Sequence, residues 1–168
     1  MNYCDIKYTD MLNGQGIRVS LFVSGCSHYC KGCFNSDTWN PNYGFPFTED
    51  IENNIINYFY KYSSSLRGLS LLGGDPTYHD NIPHLVKFLT KFKQHFPNKD
   101  IWIWSGYTWE NIIQNSQRLE LIKLCDVLID GKFDIEKKDP NLKWKGSSNQ
   151  RVIDIQKSLK YNSIIEKE

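Results

Sequence analysis

Three of the five cysteines, Cys26, Cys30 and Cys33, crowd into one short segment, Gly25-Cys26-Ser27-His28-Tyr29-Cys30-Lys31-Gly32-Cys33-Phe34-Asn35, with the spacing C-x3-C-x2-C. Three thiolates in one loop can hold three irons of a cubane 4Fe-4S cluster, whose usual complement is four cysteines. The fourth iron is then left open, and an open metal position is a Lewis-acidic site able to bind a ligand's amine and carboxylate. Three other chemistries compete. Spacing i, i+4, i+7 also lines one face of a helix, but Gly25 and Gly32 oppose a stable helix there. Zinc held by the three cysteines with His28 or Cys125 is the stronger rival, although zinc ligands usually come in separate paired knuckles. A redox pair of Cys30 and Cys33 leaves Cys26 without a role.

The surrounding composition narrows the setting. A chain of 168 residues suffices for one core that buries roughly 70% of its unfolded surface. Hydrophobic residues make up 40% and charged residues 23%, with 20 Lys plus Arg against 19 Asp plus Glu. Neither disorder nor direct nucleic-acid binding is expected from that balance. No run of about 18 apolar residues occurs, and the opening MNYCDIKYTDMLNGQG has no basic segment followed by an apolar one, so the expectation is a cytoplasmic protein that does not span a membrane. In a reducing compartment an odd number of cysteines is poorly explained as a disulfide framework. Cys4 and Cys125 read as small buried hydrophobes. His79, His84 and His95 read as solvated or packed side chains.

Residues 17–24 (IRVSLFVS) place Ile17, Val19, Leu21 and Val23 on one face at period two, a largely buried strand that runs directly into Gly25 and Cys26. A helix is predicted over 48–62, where Glu49 and Asp50 suit the first turn and Ile51, Ile55, Ile56, Phe59 and Tyr62 recur at helical spacing. A strand over 69–72 closes in Gly73-Gly74-Asp75-Pro76, followed by an amphipathic face from Ile82 to Phe96. A strand over 101–104 ends in Ser105-Gly106, a helical region covers 108–125, and a strand over 127–129 ends in Asp130-Gly131. Such alternation implies an α/β fold with parallel strands, whose carboxyl ends share one rim where ligands gather. With four or five strands the expectation is a partial, open TIM-like barrel. Residues 1–160 read as a single domain and 161–168 as a polar tail. Ser105, Asp130, Asn149 and Arg151 stand at or near the rim, where turn and capping roles compete with contacts to a ligand or partner.

These residues resemble the radical S-adenosylmethionine superfamily, whose C-x3-C-x2-C loop follows the first strand of a partial barrel. More narrowly they resemble the family that activates anaerobic ribonucleoside-triphosphate reductase, through Gly14-Gln15-Gly16-Ile17-Arg18, the cysteine loop, Gly73-Gly74-Asp75-Pro76, Ser105-Gly106-Tyr107, DVLIDGKF (126–133) and GSSNQR (146–151). The resemblance implies that Cys26, Cys30 and Cys33 hold a 4Fe-4S cluster and that S-adenosyl-L-methionine binds the fourth iron. Gly32, Cys33 and Phe34 would contact its adenine side, and Gly73-Gly74-Asp75, with Ser105 near it, would stand where the superfamily's Gly-Gly-Glu turn receives the amino group. A carboxylate at 75 could accept charge-assisted hydrogen bonds from that ammonium. Gly32 departs from the aromatic residue often found before the third cysteine, and Asp75 is one methylene shorter than glutamate. The implied reaction is reductive cleavage of the sulfonium to a 5′-deoxyadenosyl radical, which takes hydrogen from a glycine of the reductase's large subunit, with a reductant such as flavodoxin supplying the electron. A radical enzyme acting on a small molecule and a non-enzymatic zinc module are the alternatives.

Overall fold

The computed structural model describes residues 1–167. Its strands are β1 (Asn2–Asp10), β2 (Arg18–Val23), β3 (Phe45–Pro46), β4 (Gly68–Gly73), β5 (Asp100–Ser105), β6 (Val127–Asp130) and β7 (Arg151–Asp154). The helices are α1 (Glu49–Tyr62), α2 (Ile82–His95), α3 (Trp109–Ile113), α4 (Ser116–Ile122) and α5 (Ile155–Tyr161). The strands form one sheet in the order β3-β1-β2-β4-β5-β6-β7. Its centre, β2-β4-β5-β6, is parallel as the alternating pattern implied. Its flanks are not: β1 runs antiparallel to β2 and β3, and β7 antiparallel to β6. The sheet is therefore mixed and has seven strands where four or five parallel ones were expected. The sequence does not mark the flanking strands, because β1 carries Asp5, Lys7 and Thr9 among its apolar residues and buries only one end fully, while β3 and β7 span two and four residues.

The helices begin where side chains can satisfy their free amides. Thr48 Oγ1 accepts from Ile51 N at 3.4 Å, with Glu49, Asp50 and Glu52 in the first turn of α1. The region expected as one helix over 108–125 is two, because Asn115 interrupts it and caps α4, accepting from Arg118 N at 3.0 Å.

The sheet's two faces differ in kind. Val19, Leu21 and Val23 of β2, Leu69 and Leu71 of β4, Ile101 and Ile103 of β5, Leu128 and Ile153 form the core shared with Ile55, Phe59, Leu85, Phe88 and Phe92 of the helices. By register the opposite face carries Ser20 beside Ser70, Phe22 beside Leu72, Ser70 beside Trp102, and Trp104 beside Ile129. Trp102, Val127, Ile129 and Val152 form a smaller cluster there, with Trp104 and Trp144 against it. The period-two pattern of β2 thus marks the core face correctly, while its other face is also buried, around Arg18 and Ser20.

Arg18 is fully buried. Its Nη1 lies 2.6 Å from Asp100 Oδ1, its Nε donates to Ser70 Oγ at 2.7 Å and its Nη2 to Leu69 O at 2.8 Å. The guanidinium also sits over the Trp102 ring, 5.3 Å from its centroid. A buried cation is tolerable only when its donors are filled this way. The end of the chain, read as a polar tail, runs beside β7: Asp154 N donates to Ile165 O and Lys167 N to Val152 O, each at 2.8 Å. Arg18→Ala should cost about 3 kcal/mol, because the charge partner and two acceptors lose their donor in a buried site; urea unfolding should show a lower midpoint at an unchanged slope.

Candidate metal centre

A cavity of about 450 Å³ opens at the carboxyl ends of the parallel strands. Cys26 follows β2, Gly73 and Gly74 end β4, Ser105 and Gly106 end β5, and Gly131 follows β6, and all of them line it. Cys30, Gly32, Cys33 and Phe34 complete that wall. The three cysteines, Gly32, Phe34, Gly73, Gly74 and Ser105 therefore border one space, whereas Asp75, Cys125, Asp130, Asn149 and Arg151 lie outside its lining. His79, His84 and His95 lie outside the lining.

The cysteine loop is held by backbone bonds at its base. Gly25 N donates to Thr38 O at 2.7 Å and Cys26 N to Trp39 O at 3.3 Å, anchoring it to the 3-10 turn Ser36–Trp39. Asp75 N donates to Gly25 O at 2.8 Å and Gly74 N to Val23 O at 2.7 Å, which ties it to the end of β4. That approach explains the paired glycines: a Cβ on Gly73 would lie 2.5 Å from Val23 O, and one on Gly74 2.6 Å from Gly25 O. Within the loop Tyr29 takes a left-handed φ of 52° and packs edge-on against Trp39 at 5.1 Å. The place beside Gly32 is taken by Ile135, whose Cδ1 would stand 2.9 Å from a Cβ there.

Cys26 is buried and Cys30 and Cys33 half-buried, and none is in a disulfide. Burial pushes the Cys26 thiol up to about 12, against a backbone hydrogen bond from His28 that lowers it, and burial also raises Cys30. Burial also raises Cys4 and the fully buried Cys125. A reactive dithiol requires a lowered pKa, so the loop is unlike a redox pair. Thiols raised by burial become thiolates when a metal displaces their protons. Among the described residues no three His, Cys, Asp or Glu side chains converge as one ion would require. A single zinc draws its sulfurs to about 3.8 Å of one another, the edge set by bonds of about 2.3 Å. A cubane gives each thiolate its own iron and so accepts sulfurs set further apart than a single ion would.

Asp75 does not face the cavity as expected. Asp75 is 1% exposed and its carboxylate is taken up by the chain itself. Oδ1 accepts from Thr77 N and Thr77 Oγ1, both at 2.7 Å; Oδ2 accepts from His28 Nε2 at 2.6 Å, Gly106 N at 3.0 Å and Ser105 Oγ at 3.1 Å. With a methylene fewer than glutamate, the carboxylate stays inside the turn, where these donors surround it. No lone pair is left for a ligand's ammonium. His28 and Thr77 were the partners that sequence reasoning missed; His28 was weighed only as a zinc ligand, and its place between two cysteines was the one signal available.

The far wall is aromatic. Phe22, Trp104, Phe133 and Trp144 line it, with Trp104 Nε1 donating to Trp144 O at 2.7 Å and Trp144 edge-on to Trp102 at 4.8 Å. DVLIDGKF and GSSNQR meet here: Gln150 Nε2 donates to Gly131 O at 2.9 Å and Asn149 Nδ2 to Lys132 O at 2.8 Å. Asp130 and Arg151 form an ion pair, Trp109 N donates to Asp130 Oδ2 at 2.7 Å, and Arg151 grips Glu110 through bonds of 3.1 and 2.9 Å. Asp130, Asn149 and Arg151 thus brace the rim, and Ser105 is joined to Asp75.

This α/β fold and cysteine-lined cavity define an iron–sulfur protein: residues 12–153 match the family model of a 4Fe-4S single cluster domain. Similar curated proteins include the anaerobic ribonucleoside-triphosphate reductase-activating protein of Escherichia coli (strain K12), 44% identical over 152 residues that cover 90% of this chain and 97% of the relative. The protein of the same name from Enterobacteria phage T4 is 45% identical over 153 residues, 90% of this chain and 93% of its own. That of Haemophilus influenzae is 43% identical over 152 residues, 90% and 97%. The chain belongs to the family of anaerobic ribonucleoside-triphosphate reductase-activating proteins.

Arg151 holds the Glu110 carboxyl down at about 2. A carboxyl lowered on folding adds stability above its unfolded value, near 4.3, that fades as pH falls toward 2. Glu110→Gln should therefore flatten the loss of thermal midpoint between pH 4.5 and 2, and leave a slightly lower midpoint at pH 7.

Proposed function

We propose that this protein is a glycyl-radical activase: an iron–sulfur enzyme that cleaves S-adenosyl-L-methionine reductively and generates a glycyl radical on the large subunit of anaerobic ribonucleoside-triphosphate reductase. The observation that carries the reading is the wall of three cysteines facing one cavity at the ends of the parallel strands, in a chain similar along nine-tenths of its length to proteins named for activating that reductase. Those names favour it over a small-molecule substrate. In this reading Cys26, Cys30 and Cys33 hold the irons of a 4Fe-4S cluster and leave one iron without a protein ligand. When bound, the cluster and S-adenosyl-L-methionine supply one-electron cleavage of a C–S bond and a 5′-deoxyadenosyl radical.

The chain's own residues do the rest. The backbone carbonyls at Gly73 and Gly74 present acceptors to the ligand's ammonium, since the Asp75 carboxylate is committed elsewhere. Gly32, Cys33 and Phe34 would flank the adenine, and Phe34, 98% exposed, would meet a chain segment bearing the target glycine. Phe22, Trp104 and Trp144 offer an aromatic wall that excludes water from the space behind. We further read the sheet as a partial TIM-like barrel with the cavity on its concave side, and residues 1–160 as one radical S-adenosylmethionine domain, beside whose β7 residues 165–167 run. The protein would work in the cytoplasm with a reductant such as flavodoxin.

Alanine at Cys26, Cys30 or Cys33 should each abolish cluster assembly and 5′-deoxyadenosine formation, because three ligands leave no spare. Iron, sulfide and nucleoside assays after air-free reconstitution check this, and full turnover in any one variant would overturn it. Mixing the reduced protein and S-adenosyl-L-methionine with the reductase subunit should give a glycyl signal by electron paramagnetic resonance. Nucleoside release without that signal would point to another substrate.

A further inference from the structure

His28 has a place that the three-cysteine reading does not explain. It lies between Cys26 and Cys30, yet its side chain is only 6% exposed and turns away from a metal-ligand role, because its Nε2 is spent on Asp75 Oδ2 at 2.6 Å. Its ring packs edge-on against Tyr107 at 4.4 Å, and Arg118 covers Tyr107 from 3.6 Å. Gly106 leaves the ring its room, since a Cβ there would lie 2.3 Å from His28 Cδ2. One residue of the cysteine loop thus links that loop to the turns that end β4 and β5.

We propose that His28 is a positioning residue for the cluster ligands: through Asp75 it clamps the cysteine loop onto the ends of β4 and β5, and it sets where Cys26 and Cys30 present their sulfurs. The Asp75 carboxylate serves this clamp and not a bound cofactor. The loop needs such a side-chain brace because its backbone–backbone bonds are made at Gly25 and Cys26 and between Cys30 and Cys33, and Tyr29 in the stretch between sits in the left-handed region. Partners that orient metal ligands typically govern metal retention by 10–100-fold. The inference rests on the cluster reading above.

His28→Ala is a clean variant, because Asp75 keeps its bonds from Thr77, Ser105 and Gly106 and is not left stranded. Asp75→Asn would instead turn an amide toward several donors and damage the fold. His28→Gln can place an N–H near the position of the imidazole Nε2 and is the conservative rescue. Gly106→Ala displaces the ring without removing it. In the full-length protein reconstituted without air, iron loss to a chelator should run about 10-fold or more faster in His28→Ala and Gly106→Ala than in the wild type, and within about 3-fold of it in His28→Gln. The electron paramagnetic resonance g-values of the reduced cluster should move in the first two and return in the third, a signature that a general loss of stability would not give. Amide hydrogen exchange of residues 26–33 in the cluster-free chain should rise in His28→Ala alone of the two position-28 variants. Wild-type iron retention and unchanged loop exchange in His28→Ala would overturn the clamp and leave the cluster reading intact. Faster loop exchange in His28→Ala, with a wild type that assembles no cluster, would support the clamp and overturn the cluster reading.

Discussion

One buried carboxylate joins the pieces that make the site. Asp75 gathers donors from its own turn, from the end of β5 and from the middle of the cysteine loop. A buried carboxylate without partners is costly, so the arrangement is cooperative: the strand ends come together or the charge is exposed. The loop that carries three sulfurs would otherwise hang from a parallel sheet by backbone bonds at its base. The chemistry proposed for the cavity depends on sulfurs held at set positions, and this network is the means by which a small domain holds them.

The sheet divides its labour by face. Aliphatic side chains on one face meet the helices and supply most of the burial. The other face carries Arg18, Ser20, Ser70, Trp102 and Trp104, a polar and aromatic surface unsuited to covering with a helix. It is covered instead by the segment between β6 and β7, which returns Trp144 onto Trp102 and joins Gly131 to Gln150. That segment spans the cavity, so closing the second face and shaping the site are the same event. A domain of this size cannot afford separate layers for core and function.

The distribution of polar groups matches this division. Ionic groups within the sheet, Arg18 with Asp100 and Arg151 with Asp130, lie at its two ends: the first seals the bottom of the sheet, and the second the rim beside the cavity. Burial raises the Cys26 and Cys30 thiols at the cavity wall, and a metal would displace their protons on binding.

Much of this was legible in the chain itself. Cysteine spacing, period-two and helical runs, and glycine at strand ends are local features, and local features set a strand, a helix or a ligand triplet with little help. They determined the parallel centre, the helices near 49–62 and 82–95, and the gathering of four strand ends about one cavity. Tertiary structure alone decided the antiparallel flanks, because β1, β3 and β7 are short or half-solvated and take their direction from the neighbours they pair with. It also decided the work of Asp75. A carboxylate after two glycines looks available to a ligand until five donors, supplied by His28, Thr77, Ser105 and Gly106, are seen to enclose it. Partnership between groups distant along the chain is a property of packing, and no spacing in the sequence records it.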